Sequence, residues 1–311
     1  MIVLSICPNP AVDKFIHLDS LQINAVNKSR HEIAYPGGKG VHVAMALHET
    51  GHRTKLVGYW GGPTGRWVRD EAQKIGISTF GPEIDGWTRT CTTFKTDGPG
   101  DDTELTEAGP EITRDQEESF FSQISDHAET ADAMVVSGSW PRRSSKNSYK
   151  RLKGIADQQE CPLWIDASGD RLRAALDVHP FGVHMNMDEA KDLYGDLPSP
   201  ADYAKSCLEH CTVAAVTDGA NGLFLGVHQQ LTHAKYTVEN VISTVGSGDC
   251  LTAGVVAAWH QTEDPIETTK MGVACGAANC IREELGMLHN QDVVDIKERV
   301  KVAPLTAPPI V

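Results

Sequence analysis

The chain has 311 residues, 40% hydrophobic and 23% charged, a globular composition able to bury a large core. Its 28 basic residues stand against 42 acidic ones. The net charge of −14 argues against general binding to nucleic acid or an anionic membrane, while leaving room for a small anionic substrate held by a local basic cluster. No stretch approaches the roughly 18 apolar residues of a membrane span, and eight scattered cysteines suit a reduced, cytoplasmic protein better than a disulfide scaffold.

In chain order, Ile2–Cys7 reads as a buried first strand, with no basic segment ahead of it to mark a signal peptide. Pro8–Lys14 reads as a turn carrying Asp13, and Phe15–Leu21 and Lys28–Ala34 as short half-exposed strands. Tyr35–Gly40 is a glycine turn entering a helix over Val41–Thr50, which Gly51 ends. A strand over Thr54–Tyr59 and a helix to about Ile75 follow. Thr88–Phe94 and Asp102–Thr106 flank Asp97-Gly98-Pro99-Gly100-Asp101 and predict a β-hairpin apart from the main sheet. The expected arrangement is a single domain over residues 1–300 with a small β lid built from about 12–35 and 85–108.

Beyond residue 111, strands at Ala133–Ser137, Leu163–Asp166, Gly182–Met185 and Val213–Thr217 alternate with helices at Thr113–Glu129, Ser144–Gln159, Arg171–Leu176, from Met187, and at Pro200–His210. Gly222–Val227 with His233–Tyr236 predicts a hairpin, and Lys301–Val311, with three prolines, an irregular tail. Such alternation implies an α/β fold: three layers, α/β/α, around a mostly parallel sheet. Ligands bind at the carboxyl ends of such strands. Asp13, the 37–40 turn, Ser139, Asn186, Thr217 and Asp249 can converge on that edge.

The stretch Val245-Gly246-Ser247-Gly248-Asp249 precedes a run of small and apolar residues to Trp259, as a loop opening into a helix does. Free amides at such a helix start face an anion well. With the Asp249 carboxylate beside them, the pair suits phosphoryl transfer to an alcohol; a Gly/Ser turn with an N-cap aspartate gives the same pattern. Gly37-Gly38-Lys39-Gly40 is a second glycine turn but not a P-loop, and it admits either a ligand beside Lys39 or a plain helix start. Arg89 is a phosphate clamp if a lid closes on one, otherwise a surface arginine. Asn186 to Glu189 offers an amide and a carboxylate, and equally an acidic helix start. Thr217–Gly222 is a tight turn, either part of a hairpin or the floor of a nucleotide site. Cys207 and Cys211, around His210, share a helix face by spacing, which suits burial better than a metal.

In order, these motifs resemble the ribokinase-like carbohydrate kinases of the PfkB family, over about Ile2 to Leu288. Both signature regions are present, Gly37–Ala44 and Val245–Asp249. Asn9-Pro10-Ala11-Val12-Asp13, Thr88-Arg89, Thr103-Glu104 to Gly109-Pro110, Ser137-Gly138-Ser139 and Asp166-Ala167-Ser168-Gly169 resemble the branch holding 1-phosphofructokinase and tagatose-6-phosphate kinase.

The resemblance implies an ATP-dependent, Mg²⁺-requiring kinase of a small sugar phosphate, with a ketohexose phosphate as the expected acceptor. It implies that Asp249 is the base and that Gly246, Ser247 and Gly248 form the anion hole. Asp13, Gly37, Gly38 and His42 surround the sugar, and Lys39, Arg89 and Ser139 its phosphate. Lys28 reaches that phosphate from the partner of a lid-to-lid homodimer. Asn186, Thr217, Gly219, Gly222 and Asn279 line ATP, and Glu189 holds Mg²⁺ through water. The chain departs from the family pattern at His42, which replaces asparagine, at His184, which replaces a lysine, at Asp218, where S-L-G reads Thr217-Asp218-Gly219, and at Arg142 and Arg143, where a glycine is lost and two arginines are gained near the site. Two other functions fit the same residues: a kinase of an unphosphorylated sugar or nucleoside, and a catalytically weak ligand-binding or regulatory protein on this scaffold.

Overall fold

A computed structural model of the chain describes residues 1–96 and 102–305. The turn expected at Asp97–Asp101 lies outside the described residues. Among these, ten strands form the main sheet, in the spatial order Lys301–Leu305, Gln230–Lys235, Leu223–Val227, Val213–Thr217, Gly182–Asn186, Leu163–Asp166, Ala133–Ser137, Ile2–Cys7, Arg53–Gly58 and Ser78–Phe80. From Val213–Thr217 to Ser78–Phe80 the neighbours run parallel, and the other three strands continue antiparallel.

The central strands are apolar on both faces because both are covered. Side chains alternate along a strand. Val3, Ala133 and Val135 therefore join one core with Val43, Leu47, Val256, Ala274 and Ile296 from the helices Lys39–Glu49, Ser247–Thr262, Pro265–Cys280 and Asn290–Lys297. Leu4, Ile6, Met134 and Val136 join the opposite core with Phe120 and Leu152 of the helices Arg114–Ala128 and Ser148–Gln158. The expected three-layer α/β/α order is observed. No helix among the described residues is long and apolar enough to cross a membrane.

The C-terminal expectation needs correction. Lys301–Leu305, taken as the start of an irregular tail, is an edge strand antiparallel to Gln230–Lys235. Pro304 suggested irregularity, yet an edge strand tolerates proline because one row of its amides has no ladder partner to lose. Val302 of that strand packs on the core.

A second sheet has the order His31–Gly37, Ala11–Leu18, Arg89–Thr96 and Thr103–Thr106. Asp13, expected in a turn, lies instead within the Ala11–Leu18 strand, opposite Tyr35 and Cys91. Pairing on both sides overrides the turn preference of Pro8-Asn9-Pro10. The main-sheet register sets Ser137 beside Asp166, Asp166 beside His184, and Asn186 beside Thr217, at the carboxyl ends of parallel strands.

Candidate active site

The site is organised at the start of the Ser247–Thr262 helix. Gly246 caps it at φ 84°, in the left-handed region, and a Cβ there would lie 2.4 Å from Gly286 Cα. Cys250 to Trp259 are buried on every side, so the helix is embedded in the core and its first turn is held rigidly. The Ser247 amide donates to Thr244 O at 3.1 Å, so the expected three-amide hole is not wholly free. The Gly248 and Asp249 amides have no partner among the described residues, as first-turn donors do.

Three segments far apart in sequence meet at His42. Its Nδ1 lies 2.8 Å from Asp249 Oδ2, and its Nε2 makes a 3.0 Å ion contact with Asp13 Oδ2. All three are buried, with residual exposures of 7% for Asp13, 3% for His42 and 5% for Asp249. Gly37 admits the Asp13 carboxylate, whose Cγ would be 2.1 Å from any Cβ there, and the Gly38 amide donates to Asp13 Oδ2 at 3.4 Å. Burial pulls the His42 imidazole down, but hydrogen bonding and attraction to the two carboxylates outweigh it and push the ring up to about 10. The two carboxylates therefore favour the charged form of the ring. Burial raises the Asp249 carboxyl above its ordinary range against the opposing pull of His42 and Lys39.

A second buried network stands alongside. Lys39 Nζ lies 3.2 and 3.4 Å from the Asp166 oxygens, Ser137 Oγ donates to Asp166 Oδ2 at 2.7 Å, and His184 Nδ1 lies 3.5 Å from Asp166 Oδ1. His184 continues to Thr217, with Nε2 3.3 Å from Oγ1, and a Cβ on Gly248 would touch its Cε1 at 3.3 Å. Burial alone would raise Asp166, but Lys39 above all, then His184 and Ser137, hold it well below the usual carboxylate range. Lys39, expected at a substrate phosphate, is thus ion-paired here to a buried carboxylate.

Arg89 donates to Asn9 O at 3.1 Å from Nη2 and to Glu107 O at 3.2 Å from Nη1. Asn9 in turn donates to Ser139 Oγ at 3.1 Å, so Arg89 and Ser139 share one cluster beneath the second sheet. Lys28 is exposed in the loop joining two strands of that sheet. Arg143 adopts φ 66°, which explains the glycine usual at this place, and its Nε reaches Glu111 at 2.9 Å on the surface.

The residues expected around the nucleotide have strong local explanations. Asn186 Oδ1 accepts the Glu189 amide and Glu189 Oε2 the Asn186 amide, both at 2.9 Å, a capping box opening the Met187–Tyr194 helix. Thr217, Gly219 and Gly222 bound a short 3₁₀ turn, and a Cβ on Gly222 would lie 2.0 Å from Ala234 O. Asn279 is 1% exposed and donates to Met287 O at 2.8 Å, tying down the loop that carries Gly286. No cluster of three or more metal-binding side chains occurs among the described residues. The free oxygen of the half-buried Glu189 suits Mg²⁺ held through water, the habit of an ion that keeps much of its hydration shell. Cys207 ends its helix and Cys211 lies beyond it, with Sγ 3.2 Å from Cys207 O and both thiols free.

The sequence reading assigns no role to Asp166 or His184. The signal was available in D-x-S-G, where Asp166 ends its strand, and in the histidine two residues before Asn186.

Residues 9–288 match the family described as pfkB family carbohydrate kinase. The 1-phosphofructokinase of Bacillus subtilis (strain 168) is 28% identical over 311 residues, spanning 97% of this chain and 100% of that protein. A Thermotoga maritima structure described as possible 1-phosphofructokinase superimposes with a TM-score of 0.88 at 21% identity, covering 98% of this chain and 100% of that one. Phosphofructokinase-2 from Escherichia coli in complex with substrates and products gives a TM-score of 0.87 at 20% identity, covering 96% and 99%. At such identities the two structures speak for the fold.

Proposed function

The chain belongs to the pfkB family of carbohydrate kinases, and on that premise we propose that it transfers the γ-phosphoryl group of ATP to a hydroxyl of a small ketohexose phosphate. Fructose 1-phosphate, fructose 6-phosphate and tagatose 6-phosphate are the acceptors of this class. One observation carries the reading: a buried carboxylate of raised proton affinity, Asp249, at a glycine-led helix start with open amides.

In this reading Asp13 binds sugar hydroxyls and Asp249 takes the proton of the attacking one. The Gly248 and Asp249 amides receive the phosphoryl oxygens, and the helix dipole favours their charge. Glu189 and Asn186 hold Mg²⁺ through water, and the ion supplies neutralising charge to the phosphates. The Thr217–Gly222 turn lies under the nucleotide. The second sheet closes as a lid and excludes water. Arg89 and Ser139 lie at the sugar's phosphate end. Exposed Ile23 and Val26, 80% and 90% accessible, precede Lys28 in the lid loop and support pairing of two lids in a homodimer.

One observation favours a second reading. Lys39 is committed to Asp166 and Arg89 to backbone carbonyls, which fits a kinase of an unphosphorylated sugar or a nucleoside. The test is turnover of ATP–Mg²⁺ with the three phosphosugars, free fructose and a nucleoside, in wild type and in Asp249→Asn. The proposal expects a phosphosugar to be preferred, and kcat in Asp249→Asn to fall on the order of 10²–10⁴-fold. A folded Asp249→Asn enzyme with near-wild-type turnover refutes Asp249 as base, and preference for free fructose or the nucleoside moves the assignment to the second reading.

A further inference from the structure

Resting on the reading of Asp249 as proton acceptor and Asp13 as sugar-binding carboxylate, we propose that His42 is a positioning residue that couples them. One imidazole ring, with a carboxylate at each nitrogen, fixes which oxygen of each acid is left for the sugar.

Asp249 Oδ2 is taken by Nδ1 at 2.8 Å, which leaves Oδ1 for the substrate hydroxyl. Asp13 Oδ2 lies 3.0 Å from Nε2, a charge contact outside hydrogen-bond geometry, and accepts from the Gly38 amide at 3.4 Å, which again leaves Oδ1. The ring has little freedom to do otherwise. It is buried in the Lys39–Glu49 helix, and a Cβ on Gly286 would lie 2.1 Å from its Cγ. Only the imidazolium donates at both nitrogens. An asparagine in its place presents donors at one end and an acceptor oxygen at the other, so it serves one carboxylate and repels the second. The histidine therefore does what the family's usual residue does not: it neutralises part of the charge between two buried acids and ties their orientations together.

During transfer the sugar O–H gives its proton to Asp249 Oδ1. The sugar oxygen forms a bond to the γ-phosphorus, and the bond from that phosphorus to the β–γ bridging oxygen breaks with its electron pair leaving on ADP. His42 keeps both protons throughout. The charged and titratable groups facing this assembly are Asp13 from the lid strand, Asp249 from its helix, Lys39 on His42's own helix, Asp166 across from Lys39, and the buried thiols Cys7 and Cys250. Burial pushes the Cys7 thiol up to about 11 and Cys250 well above its ordinary value, so both stay neutral. The high proton affinity of His42 agrees with a permanent cation there.

Two measurements test the coupling. The first is the pH profile of kcat and KM for His42→Asn and His42→Gln, with fructose 1-phosphate and fructose 6-phosphate as acceptors. Without the cation, Asp249 protonates more readily. The acid limb of kcat should move up by about one pH unit or more, and KM for the sugar should rise by about tenfold with KM for ATP little changed. The second needs no turnover: ¹⁵N NMR of histidine-labelled wild type should show both His42 ring nitrogens protonated at about pH 8, where a free imidazole is neutral. A neutral His42 ring at that pH overturns the proposal. So do folded variants that retain the wild-type acid limb and sugar KM while Asp249→Asn is inactive in the same assay. If Asp249→Asn itself turns over normally, the base assignment fails instead, which separates the two failures. Should neither His42 variant fold, the NMR measurement decides.

Discussion

Two buried polar networks flank the start of the Ser247–Thr262 helix, and their charge patterns are inverted. In one, an imidazole ring favoured in its charged form sits between two carboxylates, Asp13 and Asp249. In the other, a carboxylate, Asp166, sits among a lysine, a serine hydroxyl and an imidazole. Both central groups are fully enclosed, yet the proton affinities of Asp249 and Asp166 part company. Asp249 is raised and Asp166 is depressed. A carboxylate surrounded by donors has little basicity to offer, whereas one that shares a single cation with a second acid retains it. The difference assigns chemistry to the first network and architecture to the second, although Lys39 lies close enough to act on both.

The contrast is broken most severely by neutralising the two aspartates in turn. Asp249→Asn should lose about 10²–10⁴ in kcat while remaining folded, because it relieves a charge that burial disfavours. Asp166→Ala should do the reverse and act first on stability. It leaves the Lys39 ammonium and Ser137 without their partner and should cost about 2–3 kcal/mol. That is less than the roughly 3–5 kcal/mol of a wholly buried pair, because the Lys39 side chain is 41% exposed. Urea denaturation of the purified variants measures this. An Asp166→Ala protein as stable as wild type but inactive would place Asp166 in the chemistry and erase the distinction.

The two networks also differ in how far the sequence reveals them. Asp249, Asp13 and the glycine turns are legible because backbone demands sit beside them: Gly246 must be left-handed, and Gly37 must give way to a carboxylate. The strands Ile2–Cys7, Ala133–Ser137, Leu163–Asp166 and Val213–Thr217 are legible as continuous apolar runs, the mark of strands covered on both faces. The link through His42 is not, since it joins positions 13, 42 and 249, and no local pattern records a contact across such distances. The Pro265–Cys280 helix is missed for another reason. Its Gly272, Ala274, Gly276, Ala277 and Ala278 are buried all round against the neighbouring helix, so no stripe at helical period stands out. Lys39 is legible as a cation in a glycine turn, but its partner lies 127 residues away.

Titration sharpens the comparison more gently. The His42 imidazole is raised in the folded chain, so the stability it contributes is complete below the ordinary histidine value of about 6.5 and is lost as pH climbs toward about 10. Asp166 is depressed, so its contribution is present above the ordinary carboxylate value of about 3.9 and fades only in stronger acid. Denaturation free energy should therefore decline between about pH 7 and pH 10, on the order of a few kcal/mol at most. His42→Asn should flatten that decline and leave the Asp166 contribution in stronger acid unchanged. A decline of equal slope in His42→Asn would assign the alkaline loss to other groups.

The smallest effect is expected where the Ala133–Ser137 strand leaves the Asp166 network through Ser139 and turns at Arg143. Arg143 holds φ 66° without the freedom of glycine, a conformation costing a side chain about 1–2 kcal/mol. Its compensation is one ion pair, to Glu111, with the Arg143 side chain 74% exposed, and exposed pairs contribute about 0–1 kcal/mol. Backbone relief outweighs the lost pair, so Arg143→Gly should stabilise the protein by about 0.5–1 kcal/mol. The substitution touches neither network, so kcat should stay within about twofold of wild type. A gain in stability with unchanged kcat would fit a surface arginine whose cost is borne locally. A fall in kcat, or a rise in KM for a phosphosugar, would instead mean that this side chain turns toward the substrate, and that charge at the site extends past the two networks to the loop carrying Arg143.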